Sequence, residues 1–156
     1  MRIEFVYERA TTQLCLNPSL WAEYVDWARK INSPNLARIA RRATRNCGWD
    51  AQLWVRRLKV MEHVDASPAE MERVLEEALV SLDATTLDGY LQVWWQFVLF
   101  HKRRVQSAPS DDAKTLFRAA VKRATNHTKL TQGNLPEQEH GTNHWYEQFV
   151  PKSSQF

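Results

Sequence analysis

Apolar side chains along this chain recur at intervals of three and four, the spacing that keeps one face of a helix dry. Leu36, Ile39, Ala40, Ala43 and Cys47 form one such stripe, and Trp54, Leu58 and Met61 a second. Met71, Val74, Leu75, Ala78 and Leu82 form a third, and Tyr90, Trp94, Phe97, Val98, His101 and Val105 a longer fourth. Punctuation falls between the stripes. Asn17-Pro18 supplies an N-cap and a first-turn proline, and Ser33-Pro34 repeats the device. Asp50 caps the helix after Gly48, and Ser67-Pro68-Ala69-Glu70 reads as a capping box with proline at the first helical position. Ser110-Asp111-Asp112 opens a last helix with two acids at its positive end. The pattern predicts helices over 2–15, from Pro18 to about Ile31, from Pro34 to Gly48, to about His63, from Pro68 to a loop at 83–86, through the Tyr90 stripe, and from Ser110 to about Leu130.

Four alanines preceded by charged residues stand at 10, 43, 78 and 124, in Glu8-Arg9-Ala10, Arg41-Arg42-Ala43, Glu76-Glu77-Ala78 and Lys122-Arg123-Ala124, at intervals of 33, 35 and 46 residues. Trp21, Trp54 and Trp94 open the helices between them. A period near 34 residues is that of tetratricopeptide-like helix pairs, with an insertion in the last unit. A helix pair cannot bury its apolar face alone, so the pairs must stack. The expected fold is all-α, a right-handed superhelical solenoid of antiparallel helix pairs over residues 1–130. Ala10, Ala43, Ala78 and Ala124 would let helices approach closely. Trp21, Tyr24, Trp54, Trp94 and Phe97 would fill the gaps between repeats, while Trp27, Trp49 and Trp95 fall off that register and are freer to meet a partner. Residues 131–156 carry Gly133, Pro136 and Gly141 among polar residues and read as a polar loop. A truncated start of a further helix follows, with Trp145 and Phe149 on one side and Pro151 after it.

Composition bears on the class of function. No apolar run reaches the roughly 20 residues of a membrane span, so no membrane partner is expected. Met1-Arg2-Ile3-Glu4 has no apolar h-region, which makes an intracellular setting the expectation. Cys15 and Cys47 follow successive repeat alanines and read as buried structural thiols at equivalent helix ends. The sequon-like Asn126-His127-Thr128 reads as a fraying helix end. No Gly-rich phosphate loop, nucleophile elbow or paired carboxylates occur. His140 and His144 have the spacing of two metal ligands on one helical turn but lack a third ligand and straddle Gly141. No catalysis, metal, cofactor or small-molecule substrate is therefore expected.

The formal net charge is +3. Arg38, Arg41, Arg42 and Arg45 lie opposite the Leu36 stripe, and Arg56, Arg57, Lys59 and Lys102-Arg103-Arg104 would extend a basic patch for RNA or a partner. The plainer reading is a solvated face shared with Glu70, Glu76 and Glu77.

Leu20-Trp21-Ala22-Glu23-Tyr24, Leu53-Trp54 and Val93-Trp94 with Phe97 resemble the first helix of the half-a-tetratricopeptide (HAT) repeats of RNA-processing proteins. Glu8-Arg9-Ala10 is similar to the second-helix motif outright. Arg41-Arg42-Ala43 and Lys122-Arg123-Ala124 lose its acid, and Glu76-Glu77-Ala78 its arginine. Arg57 stands where the first-helix aromatic belongs. Arg42 to Cys47, Trp49, Leu53-Trp54 and Met61-Glu62 are most similar to a subfamily that recycles the spliceosomal U4/U6 particle. The resemblance covers about residues 4 to 130. It implies a nuclear, non-catalytic scaffold for protein partners of the spliceosomal snRNP machinery, with RNA held by RNA-recognition domains that this sequence does not contain. The second helices are expected to line a concave docking face.

Overall fold

The structure, a computed structural model, describes residues 2–82 and 87–133. Among these residues it holds seven helices and no strand: α1 (Arg2–Gln13), α2 (Pro18–Lys30), α3 (Leu36–Asn46), α4 (Ala51–His63), α5 (Pro68–Ser81), α6 (Leu87–Ser107) and α7 (Asp111–Gly133). The chain is an all-α helical-repeat solenoid, with α2, α4 and α6 as first helices and α1, α3, α5 and α7 carrying the recurring alanines.

Local chemistry sets the boundaries. Asn17 Oδ1 accepts the Leu20 amide at 3.1 Å and Asp50 Oδ1 accepts that of Leu53 at 2.9 Å, so α2 and α4 begin with the same device one repeat apart. Ser67 Oγ accepts the Glu70 amide while Glu70 Oε2 accepts the Ser67 amide at 2.8 Å, which closes the capping box that starts α5. Ser110 Oγ accepts the Ala113 amide at the head of α7. The Ser33-Pro34 device differs from the expectation. Ser33 Oγ accepts the Asn35 amide and its carbonyl that of Leu36, so residues 34 and 35 are spent in a turn and α3 begins at Leu36.

Two turns share a feature that the residue pattern did not announce. Asn32 and Asp65 hold positive φ, 48° and 55°, just beyond the ends of α2 and α4. The next residues, Ser33 and Ala66, donate back to the carbonyls of Ala28 and Met61, both at 2.9 Å. This is the left-handed helix stop, tolerated by Asn and Asp because their short polar side chains lower its cost. Gly48 serves differently, for α3 ends at Cys47 and Gly48 keeps negative φ. A Cβ there would lie 3.2 Å from the Thr44 carbonyl and 3.5 Å from Ser81 Cβ, so glycine gives α5 room beside the end of α3.

The core runs the length of the stack in two joined clusters. Trp21, Tyr24, Leu36, Ile39 and Ala43 anchor one and Met71, Leu75, Trp94 and Phe97 the other. α4 belongs to both, giving Leu53 and Val60 to the first and Trp54 and Leu58 to the second. α2 packs on α4 and α4 on α6, whereas no two successive second helices touch along their backbones. The first helices therefore carry the direct backbone contact from one repeat to the next.

The sequon-like Asn126-His127-Thr128 is not a helix end, because α7 continues to Gly133. His127 stacks 5.7 Å from the Tyr90 ring and 5.5 Å from that of Trp94, which ties this turn of α7 to α6. The loop at 83–86, the histidine pair and the Trp145 segment lie outside the described residues.

Ala43 is sealed between α3 and its neighbours, whereas Arg41 is exposed. Ala43→Trp is expected to overpack the pair and lower unfolding stability by about 3 kcal/mol or more. Arg41→Ala should stay within about 0.5 kcal/mol. Urea unfolding followed by far-UV circular dichroism reads both.

Candidate partner-binding surface

Of the recurring residues, Trp21, Tyr24, Ala43, Trp54, Ala78, Trp94, Phe97 and Ala124 are buried, and Ala10 is half-buried with Thr11 sealed beside it. The indole N–H of Trp21 donates to the Cys15 carbonyl at 2.7 Å and that of Trp54 to the Gly48 carbonyl at 2.8 Å. Each reaches back to the turn before its own helix. Trp94 lies a further turn inside α6, so the residue six before it, Asp88, is already helical, and Trp94 Nε1 meets no acceptor among the described residues. Cys15 and Cys47 are free thiols at matching ends of α1 and α3, and Cys47 donates from Sγ to the Cys15 carbonyl at 3.6 Å. Burial pushes the Cys47 thiol up from its ordinary pKa.

A guanidinium covers each of the three tryptophans. The Cζ of Arg42 lies 5.3 Å from the Trp21 ring, that of Arg57 5.3 Å from Trp54 and that of Arg123 5.8 Å from Trp94. Each arginine is also ion-paired, and each helps span a gap between second helices whose backbones do not meet. Arg42 donates to both carboxylate oxygens of Glu8 at 2.8 Å, joining α3 to α1. Arg57 lies 2.7 Å from Glu77 on α5 and donates to Thr44 Oγ1 on α3 at 3.1 Å. Arg123 on α7 pairs with Glu72 on α5.

The middle clamp explains two departures from the HAT pattern together. Arg57 sits three residues after Trp54, where Tyr24 and Phe97 follow the other tryptophans. Glu77 sits just before Ala78, where Arg42 and Arg123 precede the other alanines. The charges have changed places, so the aromatic position supplies the guanidinium and the motif position the carboxylate. Arg57 is 6% exposed, which removes it from any basic patch. Its burial lowers the guanidinium pKa, opposed by the hydrogen bond and charge of Glu77.

The first clamp is the most connected. Burial alone would raise the Glu8 pKa, but hydrogen bonds from Arg42 and from the Tyr24 hydroxyl, at 2.7 Å, hold it below the ordinary value, aided by the charges of Arg42 and Arg38. Burial and the adjacent Glu8 push the Tyr24 phenol well above its ordinary range.

The predicted basic patch therefore divides. Arg42 and Arg57 are committed to clamps. Arg103 donates twice to Glu62 at 2.6 Å. Arg38, Arg41 and Arg45 remain exposed along α3, and Lys102 and Arg104 are exposed on α6, Arg104 lying 5.7 Å from the Phe100 ring. α3 and α6 do not pack together, so these are separate surfaces. Trp27 is half-buried against the Tyr7 and Tyr24 rings, Trp95 is half-buried, and Trp49 is exposed.

Two concavities accompany this framework. One of about 490 Å³ lies between α3 and α5, with Arg57 and Glu77 at its floor and Arg45, Arg73 and the very exposed Val80 around it. The other is a trough across α2, α4 and α6, in adjoining pockets of about 180 and 360 Å³ that share Arg29 and Lys59. Asp26 there pairs with Arg56 at 3.3 Å and with Arg29 at 3.8 Å. Sequence reasoning missed the trough because its residues come from three repeats. Among the described residues no group of acids, histidines and cysteines is placed to hold a metal ion, and no helix is long and apolar enough to cross a membrane.

Over 133 residues the chain is 33% identical to spliceosome associated factor 3, U4/U6 recycling protein, of Homo sapiens, an alignment covering 82% of this chain and 14% of that protein. The Pongo abelii protein of the same name gives the same figures. That of Mus musculus is 30% identical over 128 residues, 77% of this chain and 13% of the relative. The chain thus spans a small part of the length of the curated relatives it matches. No family model matches it.

Glu77→Gln would leave the buried Arg57 without its carboxylate, and is expected to cost about 1–3 kcal/mol of unfolding stability. Arg57→Met removes the buried charge along with its pair and should cost less, because an apolar replacement avoids the desolvation of an ion pair. Chemical denaturation of the two variants gives the order.

Proposed function

This chain is homologous to a segment of the spliceosome associated factor 3, U4/U6 recycling proteins, and from that premise we propose that it is a non-catalytic protein-protein scaffold in nuclear pre-mRNA splicing. Its role would lie in assembly or recycling of the U4/U6 particle, with proteins of the snRNP machinery as partners. The observation that carries the reading is the series of clamps. Each gap between second helices is spanned by an arginine held on a tryptophan face and paired with a carboxylate. Such cross-ties favour a surface formed before its partner arrives, so binding loses little to ordering of the scaffold. Arginines that sequence inspection offers to RNA are spent in this framework, which weighs against RNA as the main ligand.

A second reading rests on Arg38, Arg41 and Arg45, exposed on an α3 that has no acid of its own. Such a stripe favours a basic platform that binds RNA directly, with affinity falling steeply as salt rises.

A pull-down from nuclear extract, with and without ribonuclease, separates the two. Spliceosomal proteins kept after ribonuclease are the expected result. Loss of every partner on ribonuclease treatment would transfer the function to the α3 arginines.

A further inference from the structure

The trough across α2, α4 and α6 has a chemistry that the scaffold reading does not use. Four cations, Arg29, Arg56, Lys59 and Arg103, face it, against two acids, Asp26 and Glu62. Both acids are already engaged, Asp26 by Arg29 and Arg56 and Glu62 by Arg103. Lys59 is exposed, lines both pockets at their junction and has no carboxylate partner among the described residues. Beside it lies the half-buried Val55.

We propose that this trough is a docking site for an acidic segment of a protein partner, its carboxylates meeting Lys59 and Arg29 and an apolar residue resting on Val55. The inference rests on the scaffold reading and assigns it a face and a partner chemistry. Charge complementarity selects the occupant. Three helices side by side, each about 8–10 Å from the next, give the trough the length of a short helix or an extended peptide. A peptide can set its acids against Lys59 and keep them away from Asp26 and Glu62. A nucleic-acid backbone carries a charge at every residue and must place phosphates beside those carboxylates. Val55 suits a Leu or Val of such a peptide.

The test is fluorescence anisotropy of the full chain with a labelled helical peptide of about 15 residues built from Glu, Leu and Ala. Lys59→Glu should weaken binding about tenfold or more. Lys59→Arg should restore it, and Arg118→Glu, exposed on α7, should stay within about twofold. The same peptide with Gln in place of Glu should bind far more weakly. Equal binding by Lys59→Glu, equal binding of the Gln peptide, or tighter Lys59-dependent binding of single-stranded oligouridine would each overturn the proposal. The Lys59→Glu chain is also carried through the nuclear-extract pull-down. Ribonuclease-resistant partners retained on that variant would remove the trough and keep the scaffold. No such partners on either form would remove the scaffold reading itself.

Discussion

The fold depends on how second helices whose backbones do not meet are kept in register. Direct packing joins α2 to α4 and α4 to α6, whereas α1, α3, α5 and α7 have no such backbone contact with one another. A guanidinium spans each gap, flat enough to lie on an indole and long enough to reach a carboxylate on the neighbouring repeat or, for Arg57, the Thr44 hydroxyl there while it pairs with Glu77 of its own repeat. A cation over an aromatic ring contributes about 0.5–2 kcal/mol according to its desolvation. The bidentate geometry of Arg42 on Glu8 adds directional restraint that an ammonium lacks. The stacking of the repeats is thereby tied at discrete points, in addition to the apolar contact inside each pair.

The three clamps are alike in chemistry but not in sequence position. Arg42 and Arg123 come from the residue before a recurring alanine, whereas Arg57 comes from the first helix and is answered by Glu77 at that motif position. The middle repeat therefore keeps the interaction and exchanges its two ends. Viewed one residue at a time, Arg57 and Glu77 are two losses of the repeat motif. Their pairing across α4 and α5 makes them a single reciprocal change.

That exchange marks how far the sequence could be read. The helices, the capping box at Ser67 and the buried stripe of Trp21, Trp54 and Trp94 follow from period and local chemistry, which act over a few residues. The clamps do not, because Glu8 and Arg42, or Glu72 and Arg123, meet only after whole repeats have stacked. The basic patch divides for the same reason. Charge counts treat Arg42, Arg57 and Arg103 as available, while folding assigns each a carboxylate 20 or more residues away. The turns at Asn32 and Asp65 were missed because Asn and Asp signal many kinds of turn, and only the backbone distinguishes the left-handed one.

The most direct test of the clamps as cross-repeat ties is a double-mutant cycle on Glu8→Gln and Arg42→Met, with unfolding free energies measured at neutral pH and again in acid. Because the folded pKa of Glu8 is lowered, its stabilisation is complete above the ordinary carboxylate range and is lost as pH falls through the folded value. A coupling of about 1 kcal/mol or more at neutral pH, lost as Glu8 is protonated in acid, is predicted. A coupling near zero at neutral pH, or one that persists in acid, would contradict the account and leave apolar packing alone to hold the repeats in register.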